Sequence, residues 1–257
     1  GALFKSANAE NFIPERSVNH VLFRWVSDKK DEARYPAYKN SPDLNLFGKK
    51  VEEAIFRFKD NTLNSIYLSI YNRGDAGSMS QDKFSAVVTD LETKLNELTK
   101  GKPVVKQNKL TAKAIVNVKT WYQEPVVYIL KSNSTGRGKD FIGEFITVEI
   151  EPFSKENDPN RAATALDKKT AITKVSLATN VKKDGDNVIV ENIPMVDQGQ
   201  KGYCVPAVIE RVLRYYGSDV TQHTIAQVAS TSEMGTSDTQ LIAGLKKIDN
   251  KLGFRIK

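Results

Sequence analysis

Cys204 is the only cysteine among 257 residues. It stands in the run "VDQGQKGYCVPAVIERVLRYYG", residues 196–217, at the opening of a helical pattern. A thiol attacks as the thiolate, and proteins raise the thiolate population by setting cysteine at a helix N-terminus, beside an imidazolium, or both. The helix condition is met by the spacing. Pro206 suits the first turn, where its missing N–H costs nothing, and Gly217 suits a left-handed cap. Val208, Ile209, Val212, Leu213 and Tyr216 recur at helical intervals and are expected to form the buried stripe. Acyl transfer also needs hydrogen-bond donors for a developing oxyanion. The Cys204 N–H supplies one, and the side-chain amide of Gln198, six residues upstream in a glycine-bearing loop, supplies a second. Gln200 is the rival for that second role. Gly202 and Tyr203 set the turn and a packing contact. A lone cysteine is ordinarily a small buried hydrophobe; the pairing with Gln198 and the helix start weigh against that here.

A nucleophile of this kind needs a base, and the chain offers two histidines, His20 and His223. His223 lies 19 residues after Cys204 (223 − 204) near a helix start, and a partly exposed helical histidine explains it better than a base does. His20 sits in the remote N-terminal region. The two make no H-x-x-x-H pattern, so no metal site is indicated. One cysteine excludes an internal disulfide framework and a multi-thiolate zinc site. No cofactor motif is present.

The elements that must position these groups fall in the second part of the chain. The apolar fraction of 40% supports a core, and no run of 18 or more apolar residues exists that would span a membrane. The net charge is +7. Residues 190–257 carry eight Lys/Arg and seven Asp/Glu, so the remaining +6 is spread over the first 189 residues. One local concentration, Lys100, Lys102, Lys106, Lys109, Lys113 and Lys119, has no acid among its members. A solvated face explains it more readily than polyanion binding, and nucleic acid is not favoured as a partner.

Residues 1–50 read as extended structure and loops. Ala54, Phe56 and Phe58 alternate, as do Ile66, Leu68 and Ile70, which predicts two strands joined at Lys59–Asn61. Arg73-Gly74-Asp75 reads as a turn. Ser80 caps a helix carried by Phe84, Val87, Val88, Leu91, Leu95 and Leu98, with Gly101 and Pro103 ending it. Strands are predicted at 112–118, 125–130 and 145–150, with a polar loop at 131–140. Residues 153–170 read as a linker, and Asp184-Gly185-Asp186-Asn187 as the turn of a hairpin. The predicted fold class is α+β: an accessory domain with an antiparallel sheet and one long helix over 1–170, then a mainly helical domain over 171–257.

Gln198 and Cys204, six residues apart at a helix start, resemble the papain-like cysteine peptidases. The wider run "IPMVDQGQKGYCVPAVIERVLRYYG" is similar to the bacteriocin-leader-processing peptidases and their bacterial relatives. The following stretch fits their next two helices, one starting at Ser218 or Asp219. The other is opened by a capping box of Ser237 and Gln240 and carried by Leu241, Leu245 and Ile248. The resemblance covers about residues 190–257. It implies a peptidase acting on a peptide or protein substrate, with Cys204 as nucleophile and Gln198 completing the oxyanion hole. In that family the base His and its Asp or Asn partner come from strands well downstream. Only 257 − 204 = 53 residues follow Cys204 here, so the expectation is a truncated, inactive peptidase domain with the base outside the sequence. A degenerate peptide-binding or scaffold protein is the alternative. The start at Gly1 fits either a trimmed chain or a processed export product, and an exported location is favoured over a cytoplasmic one.

Overall fold

The computed structural model describes residues 22–26, 28–37, 41–109, 115–153, 177–196, 198, 202–218, 220–231 and 235–249. The chain forms two compact units, Gly1–Ala163 and Thr164–Lys257.

The first unit is built on one eight-stranded antiparallel sheet. Its strands are β1 (Arg24–Trp25), β2 (Glu32–Tyr35), β5 (Glu53–Lys59), β6 (Thr62–Asn72), β7 (Val104–Lys109), β8 (Ile115–Gln123), β9 (Val126–Thr135) and β10 (Ile142–Pro152). They lie in the order β1-β2-β5-β6-β10-β9-β8-β7. The short β3 (Asn45–Leu46) and β4 (Lys49–Lys50) pair separately. The turn between β5 and β6 places Asp60 at φ 50° and Asn61 at φ 63°, left-handed values that asparagine and aspartate tolerate in tight hairpins.

Helix α1 (Arg73–Ala76) is a single turn capped by the Asn72 side chain, and α2 (Gln81–Thr99) is the long helix. Ser80 caps α2 by accepting from the Lys83 N–H, and Phe84, Leu91 and Leu95 are buried in one apolar cluster with Trp121 of β8, Leu130 of β9 and Ile146 of β10. The Trp121 Nε1–H donates to Asn96 Oδ1 at 2.9 Å, and Lys119 pairs with Glu92, so both ends of that contact are fixed by polar groups as well. Burial of Arg34 is sustained by Glu32 at 2.8 Å and Glu53 at 2.7 Å, as a buried guanidinium requires.

Several expectations are corrected here. The extended structure expected in residues 22–50 includes, among the described residues, four short strands too brief to show a period of two. The strand at 104–109 was hidden by its lysines, which suit an exposed sheet edge. The 131–140 stretch is not all loop, since β9 continues to Thr135 and a 3-10 turn occupies Gly138–Asp140. Helix α2 ends at Lys100, whose φ of 52° supplies the left-handed residue in place of Gly101. Arg73-Gly74-Asp75 forms the helical turn α1, and Arg73 is engaged by Glu144 at 3.0 Å.

Candidate active site

Among the described residues of the second unit, the strands β11 (Val181–Asp184) and β12 (Asn187–Val190) form a hairpin. Gly185 takes the first loop position at φ 58°, where a side chain would be strained. The chain leaving β12 is held at several points, among them the Asn192 amide donating to Asn180 Oδ1 at 2.8 Å. The Glu191 N–H donates to Asn180 O at 2.7 Å, and the Arg211 Nε–H donates to Pro194 O at 2.9 Å. The Arg211 bond ties the segment leading to Gln198 to the helix that begins at Cys204.

That helix, α3, spans Cys204–Tyr215. Tyr203 is its N-cap residue, and its carbonyl accepts from the Ala207 N–H at 2.8 Å to close the first turn. Cys204 is the first helical residue and is exposed. Sulfur here sits where the first amides of a helix have no intrahelical acceptor and the dipole favours negative charge. The far end closes as a Schellman motif. Gly217 at φ 77° donates to Arg214 O at 2.9 Å, and Ser218 donates to Leu213 O at 2.9 Å. The next helix does not start at Ser218, and Asp219 lies outside the described residues. Helix α4 runs Gln222–Val228 with Thr221 as its N-cap. Helix α5 (Asp238–Lys246) starts with the expected capping box of Ser237 and Gln240.

The buried face of α3 differs from the expected stripe. Pro206, Ala207, Glu210 and Leu213 are buried, Ile209 is half-buried, and Val208, Val212 and Tyr216 are exposed. The reason is a polar group that periodicity scores as surface. Glu210 Oε2 accepts from the Gln222 N–H at 2.7 Å, and Arg214 lies 3.8 Å from Oε1. With its oxygens engaged, Glu210 is tolerated inside, and the helix turns that face toward α4. Leu213, Val220, Ile225, Val228, Leu245 and Ile248 then close the core of the unit.

His223 is not a partly exposed helical residue. It is only 6% exposed, and its ring meets the edge of Tyr203 at 5.7 Å between centroids, with planes at 62°. The packing contact assigned to Tyr203 is therefore with the imidazole. Gln198 is exposed, while residues 197 and 199–201, including Gln200, lie outside the described residues. His20 lies outside them as well. Among the described residues, no group of three or more His, Cys, Asp or Glu could hold a metal ion, and no helix is long and apolar enough to cross a membrane.

An exposed cysteine thus opens a capped, amphipathic helix that is followed by two further short helices. Residues 192–257 match the family model described as the Peptidase C39 family. Over this segment the chain is similar to the Peptidase C39 family. The match contains Gln198, Cys204 and helices α3 to α5, and it lies wholly within the second unit. No curated protein and no solved structure matches the chain. Tyr203 and Glu210, which shape the start and the buried face of the Peptidase C39-like helix, carry no motif in the sequence. The signal available for Glu210 was its place among apolar neighbours, three residues from both Ala207 and Leu213.

Proposed function

We propose that the second unit supplies the nucleophile and oxyanion half of a papain-like cysteine peptidase site, with Cys204 as nucleophile. The observation that carries this is the placement of an exposed Cys204 as the first residue of α3 within a Peptidase C39-like segment. The Cys204 thiolate attacks the carbonyl carbon of a peptide or isopeptide, forming a C–S bond while the carbonyl oxygen takes the electron pair. The Cys204 N–H and the Gln198 amide donate to that oxygen. Collapse of the tetrahedral species expels the amine, which takes up a proton, and water then cleaves the thioester and restores the thiol. The proton must pass through a base. His223, buried against Tyr203, is not given that role, and His20 lies outside the described residues.

The test is the alkylation rate of Cys204 by iodoacetamide at neutral pH, followed by mass spectrometry of the intact chain. An activated cysteine reacts about tenfold or more faster than glutathione. A rate no faster than glutathione would leave the segment as a binding or scaffold module.

A further inference from the structure

Cys204 stands at the end of a helix whose N-cap makes no side-chain cap hydrogen bond among the described residues. Its first turn is closed by the backbone bond from the Ala207 N–H to Tyr203 O, so the placing of Tyr203 sets the placing of that turn. The residue before the cysteine, Tyr203, is buried to 3% exposure, and what meets its ring is the imidazole of His223. His223 belongs to the first turn of α4, and its neighbour Gln222 is the residue whose N–H is bound by Glu210 on α3. The first turn of α4 thus grips α3 at two places: at its opening through the rings, and at its middle through the carboxyl group.

These two attachments, together with the Arg211 bond to Pro194 O and the burial of Leu213, constrain the position and rotation of α3, and the ring contact is the one that acts at its opening. The opening of the helix sets where the Cys204 N–H and Sγ point. Those are the two atoms that must converge on a substrate carbonyl, and a displacement on the ångström scale there is enough to spoil attack.

We propose that His223 is a positioning residue for the nucleophile: through its edge contact with Tyr203 it holds the first turn of α3, and with it Cys204, in the reactive orientation. This rests on the reading of Cys204 as a nucleophile. The imidazole acts through its shape and ring edge, not by exchanging a proton with the thiol.

The experiment uses the full chain and compares His223→Ala, His223→Phe and Tyr203→Leu with the wild type. Two quantities are followed: hydrogen exchange at the Ala207 amide, which closes the first turn on Tyr203 O, and alkylation of Cys204 by iodoacetamide. Ile248→Ala, a core truncation at a fully buried position of the same unit, controls for general loosening. In His223→Ala and Tyr203→Leu, exchange at Ala207 is expected to rise about tenfold, with alkylation falling by a similar factor. His223→Phe is expected to restore both, and Ile248→Ala to leave alkylation unchanged.

Unchanged Ala207 exchange in His223→Ala overturns the proposal while leaving the nucleophile untouched. Alkylation that stays slow in His223→Phe also overturns it, because the imidazole would then be acting chemically. Should His223→Ala fail to fold, Tyr203→Leu and His223→Phe carry the same two readouts. A wild-type Cys204 no more reactive than glutathione removes the underlying reading, whatever the exchange data show.

Discussion

Glu210 Oε2 accepts a 2.7 Å hydrogen bond from the Gln222 N–H, so a buried carboxyl group on one helix caps the N-terminus of the next. The bond does two things at once. It satisfies an amide that the start of α4 would otherwise leave unpaired, and it fixes which face of α3 turns inward. Removing the oxygen while leaving the amide buried costs about 1–3 kcal/mol. Glu210→Ala is therefore expected to speed hydrogen exchange throughout α4 by about tenfold to a hundredfold, with Glu210→Gln, which keeps an acceptor, in between. Equal exchange in Glu210→Ala and the wild type would show that the bond does not hold the helix.

Gly244 lies in α5 where a Cβ would come 2.3 Å from Val228 O and 2.6 Å from its carbonyl carbon. In an exposed helix, replacing glycine with alanine stabilises by roughly 0.5–1 kcal/mol. Here the neighbour is backbone and cannot swing aside. The sign should reverse, with Gly244→Ala losing about 1–3 kcal/mol through forced separation of α4 and α5. Exchange of the Ala229 amide, which closes the end of α4 on Ile225 O, reports it. Slower exchange in the variant would contradict the close approach.

What the sequence made legible was set by how strongly periodicity and turn chemistry determine each element. The hairpin turn at Asp184–Asn187, the Ser80 cap, the Ser237–Gln240 box and the start of α3 at Cys204 all follow from local rules, and the structure has them. Strand β7 did not follow, because lysines on a sheet edge look like a solvated loop. The inward face of α3 was misassigned for a tertiary reason. Val208, Val212 and Tyr216 are as apolar as the residues that are buried, and the carboxyl bond of Glu210 across to α4, which periodicity does not register, lies on the inward face with Ala207 and Leu213. His223 was misjudged for the same kind of reason, its burial coming from tertiary packing that includes Tyr203, twenty positions earlier (223 − 203).

In the first unit, the Tyr71 hydroxyl lies 2.8 Å from Gly77 O and 3.2 Å from Gly143 O. Burial pushes its pKa up to about 12, with the Arg73 guanidinium pulling the other way. An unfolded tyrosine ionises near pH 10, so the unfolded chain loses this proton first as pH rises. The stability that the neutral phenol contributes is thus complete below about pH 10 and lost as pH climbs through about 12. At pH 8, Tyr71→Phe should be less stable than the wild type by about 0.5–1.5 kcal/mol, the contribution of one hydrogen bond. Urea unfolding followed by tryptophan fluorescence, with Trp25 and Trp121 both in the first unit, should show this gap narrowing between pH 10 and 12. A gap that stays constant across that range would contradict the assignment.

The oxyanion role of Gln198 separates two reactions at the same sulfur. Acylation by an activated peptide ester passes through a tetrahedral oxyanion, whereas alkylation by iodoacetamide does not. If Cys204 is a peptidase nucleophile with Gln198 as its second donor, Gln198→Ala should slow acylation of Cys204 by about 10²–10³-fold and leave its alkylation nearly unchanged. The direct measurement is the ratio of those two rate constants, in the wild type and in Gln198→Ala, read by intact mass with Cys204→Ser as the blank. A ratio that falls about a hundredfold or more on substitution is what this account predicts. An unchanged ratio would contradict it.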